Sequence, residues 1–449
     1  MFDLLEKYLN LKADFIEIRA SKSVGNSVQL KSGEVKDLVS GEDSAASVRI
    51  MQKGAWGFAS TNDLSRLEWT AKSALKMARV SQKLNQKAGI SKEKAYVDRV
   101  VIKPKKDPED YSLEQKVNDL LKINNRMKMK KIASCSLSYS DSISSKYYLN
   151  SEGARIEIIF PLSNIFANST AKGNSLQSAY KSSGGLFGYE VIDEFGEKAE
   201  EASKIAVELL TADLIKSDKY DVVIGSEITG LLAHEAIGHA CEADHILERS
   251  TVLEGRMGQK IGSDLVNIVD DGTIPRLHGT FSYDDEGVKS QRKYLIKKGV
   301  VNSFLHSRET AYKLNTKSTG NCRGGTVEVP IVRMSNTFFE RGDANFDDLL
   351  DIKYGVYIEG FKGGQVNTTQ GDFQFGAERG WLIENGELTK PLRDLSIAGS
   401  ILDTLKRVDA IGKEKPSFHL GYCGKMGQRM RVSTGGSKIR VRGIRVGGS

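Results

Sequence analysis

Cysteine is scarce in this chain of 449 residues, which contains four: Cys135, Cys241, Cys322 and Cys423. They are too few and too scattered for a disulfide framework of the kind that stabilises small secreted proteins. Each cysteine is therefore expected to be either buried as a small apolar residue or used as a thiolate.

Long apolar runs are also missing. No segment approaches the roughly 20 apolar residues that cross a membrane, and Asp3 and Glu6 stand where a signal peptide would carry positive charge. We therefore expect a soluble cytoplasmic protein without a membrane partner. With 39% apolar side chains the chain is long enough for two or three domains, each with its own core.

Acidic residues are absent from the tail. Residues 424–449 carry no acid, and their basic residues account for the net charge of +7. Ile439, Val441 and Ile444 alternate with these basic residues, which is the pattern of a strand with one buried and one solvated face. Because no aromatic residues interleave for base stacking, we favour a solvated strand face over a phosphate-binding surface. Nucleic acid is therefore not expected as the main partner.

The first half of the chain alternates strand and helix patterns. Hairpin turns are predicted at Ser32-Gly33 and Lys53-Gly54. Apolar residues at three- and four-residue steps predict a helix over residues 63–84. Ser112 and Gln115 open a second helix as a capping-box pair. Long antiparallel strands over residues 132–180 and a third helix over residues 197–214 complete this half.

Polar residues before the apolar strand 222–224 indicate a domain boundary. Beyond it, short strands are punctuated by glycine and asparagine turns, as is typical of a β-rich domain. The predicted fold class is α+β. A mixed α/β N-terminal domain, residues 1–216, is followed by a β-rich C-terminal catalytic domain, residues 217–449, with a metal-binding helix.

The segment LLAHEAIGHACEADH, residues 231–245, carries the chemistry. Neutral imidazole is a common zinc ligand, but His234 and His239 are five residues apart, which separates them by roughly 140° around a regular helix. A π-type bulge would bring both to one face, and Gly238 would ease that distortion. Glu235 would then project beside the metal, where a carboxylate can take a proton from zinc-bound water. The spacing therefore predicts hydrolysis at zinc.

A catalytic zinc site needs a third protein ligand. The candidates are Cys241, Glu242, Asp244, His245, Cys322, His419 and Cys423, and spacing does not choose among them. Gly421 and Gly424 near Cys423 favour close backbone approach and an exposed thiolate. Cys241, two residues after His239, is expected to face away from the metal.

Several further segments match one known pattern in order. They read NIVDDGTIPRLHGTFSYDDEG, STGNCR, GGQVNTTQGDFQF, WLIENGELTKP and GYCGKMGQ. With the histidine motif they resemble the TldD/PmbA family, specifically its TldD branch. The resemblance covers nearly the whole chain and implies a zinc metallopeptidase of two domains that degrades unfolded peptides. It also implies a PmbA-type (TldE) paralogue as heterodimer partner, or a homodimer.

The resemblance assigns residues as well. It implies that His234, His239 and Cys423 bind Zn²⁺ and that Glu235 is the catalytic base. Two alternatives remain: a non-hydrolytic peptide-binding partner of such a complex, and a basic nucleic-acid-binding protein. The first would not need both histidines together with Glu235.

The glycine-rich stretch EGFKGGQVNTTQGDF, residues 359–373, suits an extended peptide substrate. Gly363, Gly364, Gln365 and Val366 could offer backbone groups to it with little side-chain selection, although an ordinary bulged strand explains the pattern about as well. The acidic clusters at residues 270–271 and 284–286 are each followed by glycine. We interpret them as turns and not as a second metal site.

Overall fold

A computed structural model describes residues 1–84 and 87–448 and shows an α+β fold. In the first half, the described residues form a sheet of seven strands in the order β3-β2-β1-β5-β6-β4, with β7 also paired to β6. The strands are β1 (Phe15–Lys31), β2 (Glu34–Gln52), β3 (Ala55–Thr61), β4 (Val97–Val101), β5 (Ile132–Asn150), β6 (Arg155–Lys172) and β7 (Leu176–Gly185). All neighbours are antiparallel except the parallel pair β4 and β6.

Both predicted hairpin turns are confirmed. Ser32 and Gly33 join β1 to β2 with φ angles of 52° and 89°, and Lys53 and Gly54 join β2 to β3 with 47° and 73°. Two consecutive positive φ angles give the turn whose twist matches that of paired strands.

Helices cover this first sheet. They are α1 (Phe2–Glu6), α2 (Leu67–Ser81), α3 (Leu113–Arg126) and α4 (Phe195–Glu208). Of the predicted apolar stripe, helix α2 buries Leu67, Ala71 and Ala78, whereas Leu64 and Leu75 are only partly buried. Ser112 caps α3 through Gln115 N–H at 3.2 Å. Helix α4 ends before the predicted residue 214, because residues 209–214 leave the helical path toward the next strand.

The second half contains two larger sheets and a two-stranded ribbon, β12-β13. One sheet has the order β11-β10-β9-β14-β23-β22 and the other β16-β17-β20-β24-β8-β15-β18-β19, with β21 beside β24. The strands are β8 (Asp218–Ile224), β9 (Ile268–Asp271), β10 (Arg292–Lys297), β11 (Val300–Val301), β12 (Cys322–Arg323), β13 (Ile331–Val332), β14 (Asn336–Phe339), β15 (Tyr354–Glu359), β16 (Gly364–Asn367), β17 (Asp372–Ala377), β18 (Arg379–Glu384), β19 (Glu387–Leu392), β20 (Leu395–Ser400), β21 (Val408–Ile411), β22 (Ser417–Lys425), β23 (Gln428–Gly436) and β24 (Ile439–Gly448).

The helices of the second half are short. They are α5 (Ser226–Leu231), α6 (Ala243–Leu247), α7 (Arg308–Lys313), α8 (Phe346–Leu350) and α9 (Ile401–Lys406). Helix α5 continues into a segment that packs against strands of both larger sheets. Ile228, Leu232, Ala236 and Ile237 of this helical stretch lie in the main apolar core. The stretch is therefore held from both sides, which fixes the side chains that it carries.

The basic tail forms the predicted half-buried strand, β24. Ile439, Val441 and Ile444 are buried, and Gly443, at φ 60°, lies at a break in the strand register where the alternation shifts. Arg440 Nε is 2.8 Å from a carboxylate oxygen of Asp409, and Arg442 pairs with Asp409 and Asp221. Two of the basic side chains are thus neutralised within the fold, which favours the solvated strand face over a phosphate-binding surface.

A buried charge network links the two halves of the chain. Arg49 of β2 lies 2.9 Å from Glu17 of β1 and 3.2 Å from Glu286 of the second half.

The domain boundary between residues 216 and 217 stays a prediction. Among the described residues, no helix is long and apolar enough to cross a membrane.

Candidate metal centre

The histidine motif lies on a π-helical segment, Leu232–Gly238, which directly follows α5. His239 N–H donates to the carbonyl of His234, five residues back, which is the hydrogen bond that defines a π turn. The two imidazole rings therefore come together, with centroids 5.2 Å apart and planes at 82°. The predicted bulge is confirmed.

Glycine occupies position 238 for a different reason from the predicted one. Its φ of −56° and ψ of −54° are ordinary helical angles, so conformational freedom is not required there. A Cβ atom at this position would lie 1.9 Å from the sulfur of Met334. A side chain at this position would therefore force Met334 to move.

Cys423 meets the histidines from strand β22. Its Sγ lies 3.1 Å from Nε2 of His239, and the donor atoms of His234, His239 and Cys423 all lie within 4.8 Å of one another. The expectation of an exposed thiolate is wrong: Cys423 is 5% exposed and lies within β22, where it pairs with Met430 of β23. The hairpin turn lies beyond the cysteine, at Met426 and Gly427, whose φ angles are positive.

Charge favours a metal at this cluster. Burial of the Cys423 thiol opposes its ionisation, but the two imidazoles outweigh burial and lower the pKa of Cys423 to about 5. Burial likewise opposes the charge on His239, yet Glu242 and Cys423 raise the pKa of His239 well above its usual range. The cluster thus favours ionisation of the Cys423 thiol, and a bound cation would compete with the proton on His239.

Glu235 stands beside the cluster. One of its carboxylate oxygens is 3.8 Å from Nε2 of His239, and its side chain is 30% exposed. The neighbouring side chains Ala236 and Ile237 are buried in the core. The carboxylate therefore faces both the cluster and solvent.

The other candidate ligands occupy different places. Cys241 is fully buried in the apolar core, and Cys322 is buried beside Glu286 and Arg49. Asp244 pairs with Lys425, whereas His419 approaches Ser226 at 3.3 Å. Glu242 and His245 form a second close group with His239.

The predicted peptide-binding residues lie at a sheet edge. Strand β16, Gly364–Asn367, is the outermost strand of the larger sheet and pairs with β17 alone in the described part of the chain. Gly363, Gly364 and Gln365 are exposed, and Val366 packs partly against the main core. An open groove of about 610 Å³ runs over Gln365 and Val366. This edge packs beside the π-helical segment.

The acidic clusters form turns and ion pairs. Asp284 accepts hydrogen bonds from the N–H groups of Glu286 and Val288, which closes a turn. Asp270 is buried in β9, where it pairs with Lys293 at 3.1 Å. In residues 1–84 and 87–448, the groups of three or more close metal-ligand side chains both contain His239. The interpretation as a turn agrees with residues 284–286, whereas for residues 270–271 it is wrong, because they end strand β9 and the turn begins after them.

Two partners of the cluster were missed from the sequence. The sequence offers Glu242 only as a candidate ligand, yet its Oε2 accepts from His239 Nδ1 at 2.8 Å. Lys425 donates to the same oxygen at 3.0 Å. The sequence could have indicated Lys425 as a neighbour of the cluster, because residues 423 and 425 face the same side of a strand.

Family comparisons agree along nearly the whole chain. Domain descriptions of one family match in order: PmbA/TldA metallopeptidase domain 1 over residues 16–78, its central domain over residues 106–210 and its C-terminal domain over residues 217–448.

Relatives of the same length carry metalloprotease names. A metalloprotease of Methanothermobacter thermautotrophicus is 38% identical over 98% of this chain and 96% of its own. A metalloprotease of Methanocaldococcus jannaschii is 39% identical over 97% and 98%. A zinc metalloprotease TldD homolog of Saccharolobus solfataricus is 30% identical over the full length of both.

A solved structure shares the fold. The crystal structure of TldE from Thermococcus kodakarensis superposes with a TM-score of 0.78, covering 99% of this chain and 100% of that one, at 20% identity. At that identity the likeness concerns the fold alone. The match of all three domain descriptions and the full-length relatives place this chain in the PmbA/TldD family of metallopeptidases.

Proposed function

We propose that this chain is a zinc-dependent peptidase that hydrolyses unfolded or short peptides. The observation that carries the proposal is the convergence of His234, His239 and Cys423 with Glu235 beside them. Two imidazoles and one thiolate suit the borderline-soft character of zinc. The Saccharolobus solfataricus relative, whose name specifies zinc, supports the same metal.

The residues present fit a metal ion. Nδ1 of His234 is buried and has no hydrogen-bond partner among the described residues, so this nitrogen is not engaged by a protein acceptor. The low pKa of Cys423 provides a thiolate, the form of cysteine that binds metals. When bound, zinc supplies Lewis acidity to the scissile carbonyl and to the attacking water.

Glu235 is proposed as the general base. Within 4 Å, the described residues offer this carboxylate no cation except His239, so it is not held in a separate ion pair. An oxygen of Glu235 would accept a proton from the attacking water and then deliver it to the leaving amine. The partial exposure of the side chain lets water reach it.

Strand β16 is proposed to hold the substrate. An edge strand presents unpaired N–H and C=O groups, to which an extended peptide can add as a further strand. Gly363 and Gly364 carry no side chains that would select among substrate residues. Backbone recognition through Gly363, Gly364, Gln365 and Val366 therefore favours unfolded peptides of varied sequence, because most backbone groups of a folded protein are already paired within it.

The test of the function is Glu235→Gln in the full chain. The amide cannot accept the proton, so hydrolysis of a reduced and alkylated unfolded protein should fall by about 10²–10⁴-fold. Zinc content should not change, because Glu235 is not a proposed ligand. Glu248→Gln, which changes an exposed carboxylate nearby, is the matched control and should cleave at the wild-type rate. Near wild-type turnover of the Glu235 variant would contradict the assignment.

We also propose that the chain acts in the cytoplasm with a second family subunit. The shared fold of Thermococcus kodakarensis TldE supports a TldE-type paralogue as heterodimer partner, and a homodimer is the alternative. The mass of the purified chain by light scattering, alone and mixed with the paralogue, distinguishes the two. A chain that stays monomeric in both samples would contradict the proposal.

A further inference from the structure

We propose that Glu242 is a positioning residue for the metal ligand His239, and that Lys425 ties Glu242 to the strand that carries Cys423. The inference rests on the proposed zinc site and deepens it. Neither residue is a metal ligand in this account. Together they would fix the orientation of one imidazole and the distance between the helix and strand β22.

The contact with His239 sets the orientation of the ring. Oε2 of the fully buried Glu242 is 2.8 Å from Nδ1 of His239. Because a carboxylate can only accept, Nδ1 must donate, and the proton on that nitrogen leaves Nε2 as the atom that can bind a metal. Nε2 is the atom that lies 3.1 Å from Cys423 Sγ. A carboxylate behind a ligating histidine commonly plays this role.

Lys425 completes the link across two elements. It lies two residues after Cys423 in β22, on the same strand face, and its side chain is 7% exposed. The ammonium is 3.0 Å from Glu242, 2.7 Å from Asp244 and 3.2 Å from the carbonyl of Val332. One buried cation therefore joins the segment after the π turn to the strand that supplies the thiolate.

A second metal ion at this group is disfavoured. His239, Glu242 and His245 have donor atoms close enough for one. However, the Lys425 ammonium already lies against Glu242 Oε2, the oxygen that also approaches His245 at 3.6 Å. The lysine supplies the positive charge that a metal would bring, so we assign the group to positioning.

The two histidines are held differently. Nδ1 of His239 donates a hydrogen bond to the Glu242 carboxylate, whereas Nδ1 of His234 has no hydrogen-bond partner among the described residues. Removing the carboxylate should therefore disturb His239 and leave His234 in place. The loss would be partial, because two ligands keep their positions.

The experiment compares Glu242→Gln with Asp244→Asn in the full chain. Zinc affinity is measured by competition with a chromophoric chelator at one pH, and apo-protein folding by circular dichroism. Glu242→Gln should bind zinc about 10–100-fold more weakly. Asp244→Asn, which also removes a carboxylate from Lys425 but does not contact His239, should stay within about threefold. The cobalt-substituted Glu242 variant should also show altered visible absorption, since the ligand field changes.

A second variant tests the proposal in case Glu242→Gln does not fold. In that case, Glu242→Leu with Lys425→Met replaces the buried pair by apolar groups of similar volume, a change that proteins often tolerate. It should fold and show the same loss of zinc affinity. Wild-type zinc affinity in a folded Glu242 variant would overturn the positioning role and leave the proposed peptidase standing. A wild-type chain that binds no zinc would overturn both.

Discussion

At the scale of single residues, two buried cysteines illustrate how environment decides chemistry. Burial raises the pKa of the Cys241 thiol, and the nearby carboxylate of Glu242 raises it further. Burial acts the same way on Cys423, but the imidazoles of His234 and His239 reverse the effect and bring its pKa to about 5. Cys241 is thus a packing residue and Cys423 a thiolate.

The two cysteines give opposite predictions for metal binding. Cys423→Ala should lose zinc and peptidase activity, because it removes a proposed ligand. Cys241→Ala should keep zinc and lose only stability, on the order of 1–2 kcal/mol, because it leaves a small cavity in the core. Zinc content and cleavage of an unfolded protein are measured for both. Zinc lost from the Cys241 variant and kept by the Cys423 variant would reverse the assignment.

His278 gives a prediction for acid stability. Its Nδ1 donates to the carbonyls of Gly421 and Val432, while Nε2 is buried without a partner among the described residues. Burial and the charge of Arg431 lower the pKa of His278 to about 4, from 6.5. The neutral ring therefore contributes stability that is fully present above pH 6.5 and is lost as the pH falls through 4.

That contribution is on the order of 3 kcal/mol. His278→Gln removes the titration, so its midpoint of thermal unfolding should change less between pH 7 and pH 4.5 than that of wild type. Identical pH profiles for the two proteins would show that His278 is not a source of the acid sensitivity.

Part of the candidate site could be predicted from the sequence. His234, Glu235 and His239 are local in the chain, so their spacing alone predicts a shared face. Cys423 was one of several open candidates until the family resemblance was considered, because spacing carries no information across nearly two hundred residues. The bond between Lys425 and Glu242 has the same separation and was not predicted.

At the scale of elements, the π turn depends on close packing. Alanine normally favours a helix over glycine by about 1 kcal/mol. At Gly238, however, a Cβ would lie 1.9 Å from the sulfur of Met334, and Met334 is fully buried. Overpacking should outweigh helix propensity at this position.

Gly238→Ala should therefore destabilise the protein by about 1–3 kcal/mol and weaken zinc binding, since the turn must shift. Gly41→Ala is the control, because a Cβ added at Gly41 would have nothing within 4 Å of it. Denaturant unfolding and chelator competition measure the two effects. A stabilised Gly238 variant with unchanged zinc affinity would contradict the packing argument.

The sequence predicts the two hairpin turns of the first sheet because of their backbone conformation. Ser32-Gly33 and Lys53-Gly54 mark these turns, since tight hairpins need residues that accept positive φ. The sequence predicts the wrong exposure for Cys423, because Gly421 and Gly424 are typical of a loop, whereas both lie within β22. The positions of β14 and β23 as parallel neighbours depend on long-range packing and leave no local pattern.

At the scale of the whole molecule, a buried ion network joins the halves. Arg49 contacts Glu17 within the first sheet and Glu286 in the second half, and all three are nearly excluded from solvent. Removing the shared cation would leave two buried carboxylates without their partner, which is far more costly than losing an exposed pair.

Arg49→Met should cost about 3–5 kcal/mol. Arg155→Met, which breaks the half-exposed pair with Glu6, should cost no more than about 1 kcal/mol. Both are measured by denaturant unfolding of the full chain. Equal costs would mean that the network does not hold the halves together.

The proposed function is that this fold builds a zinc site at which peptides are hydrolysed. Its most direct test is elemental analysis of the purified chain on the same preparation whose cleavage of an unfolded protein is measured. We expect one zinc per active chain, bound by His234, His239 and Cys423. Carefully purified protein that cleaves peptides but contains no transition metal would contradict it.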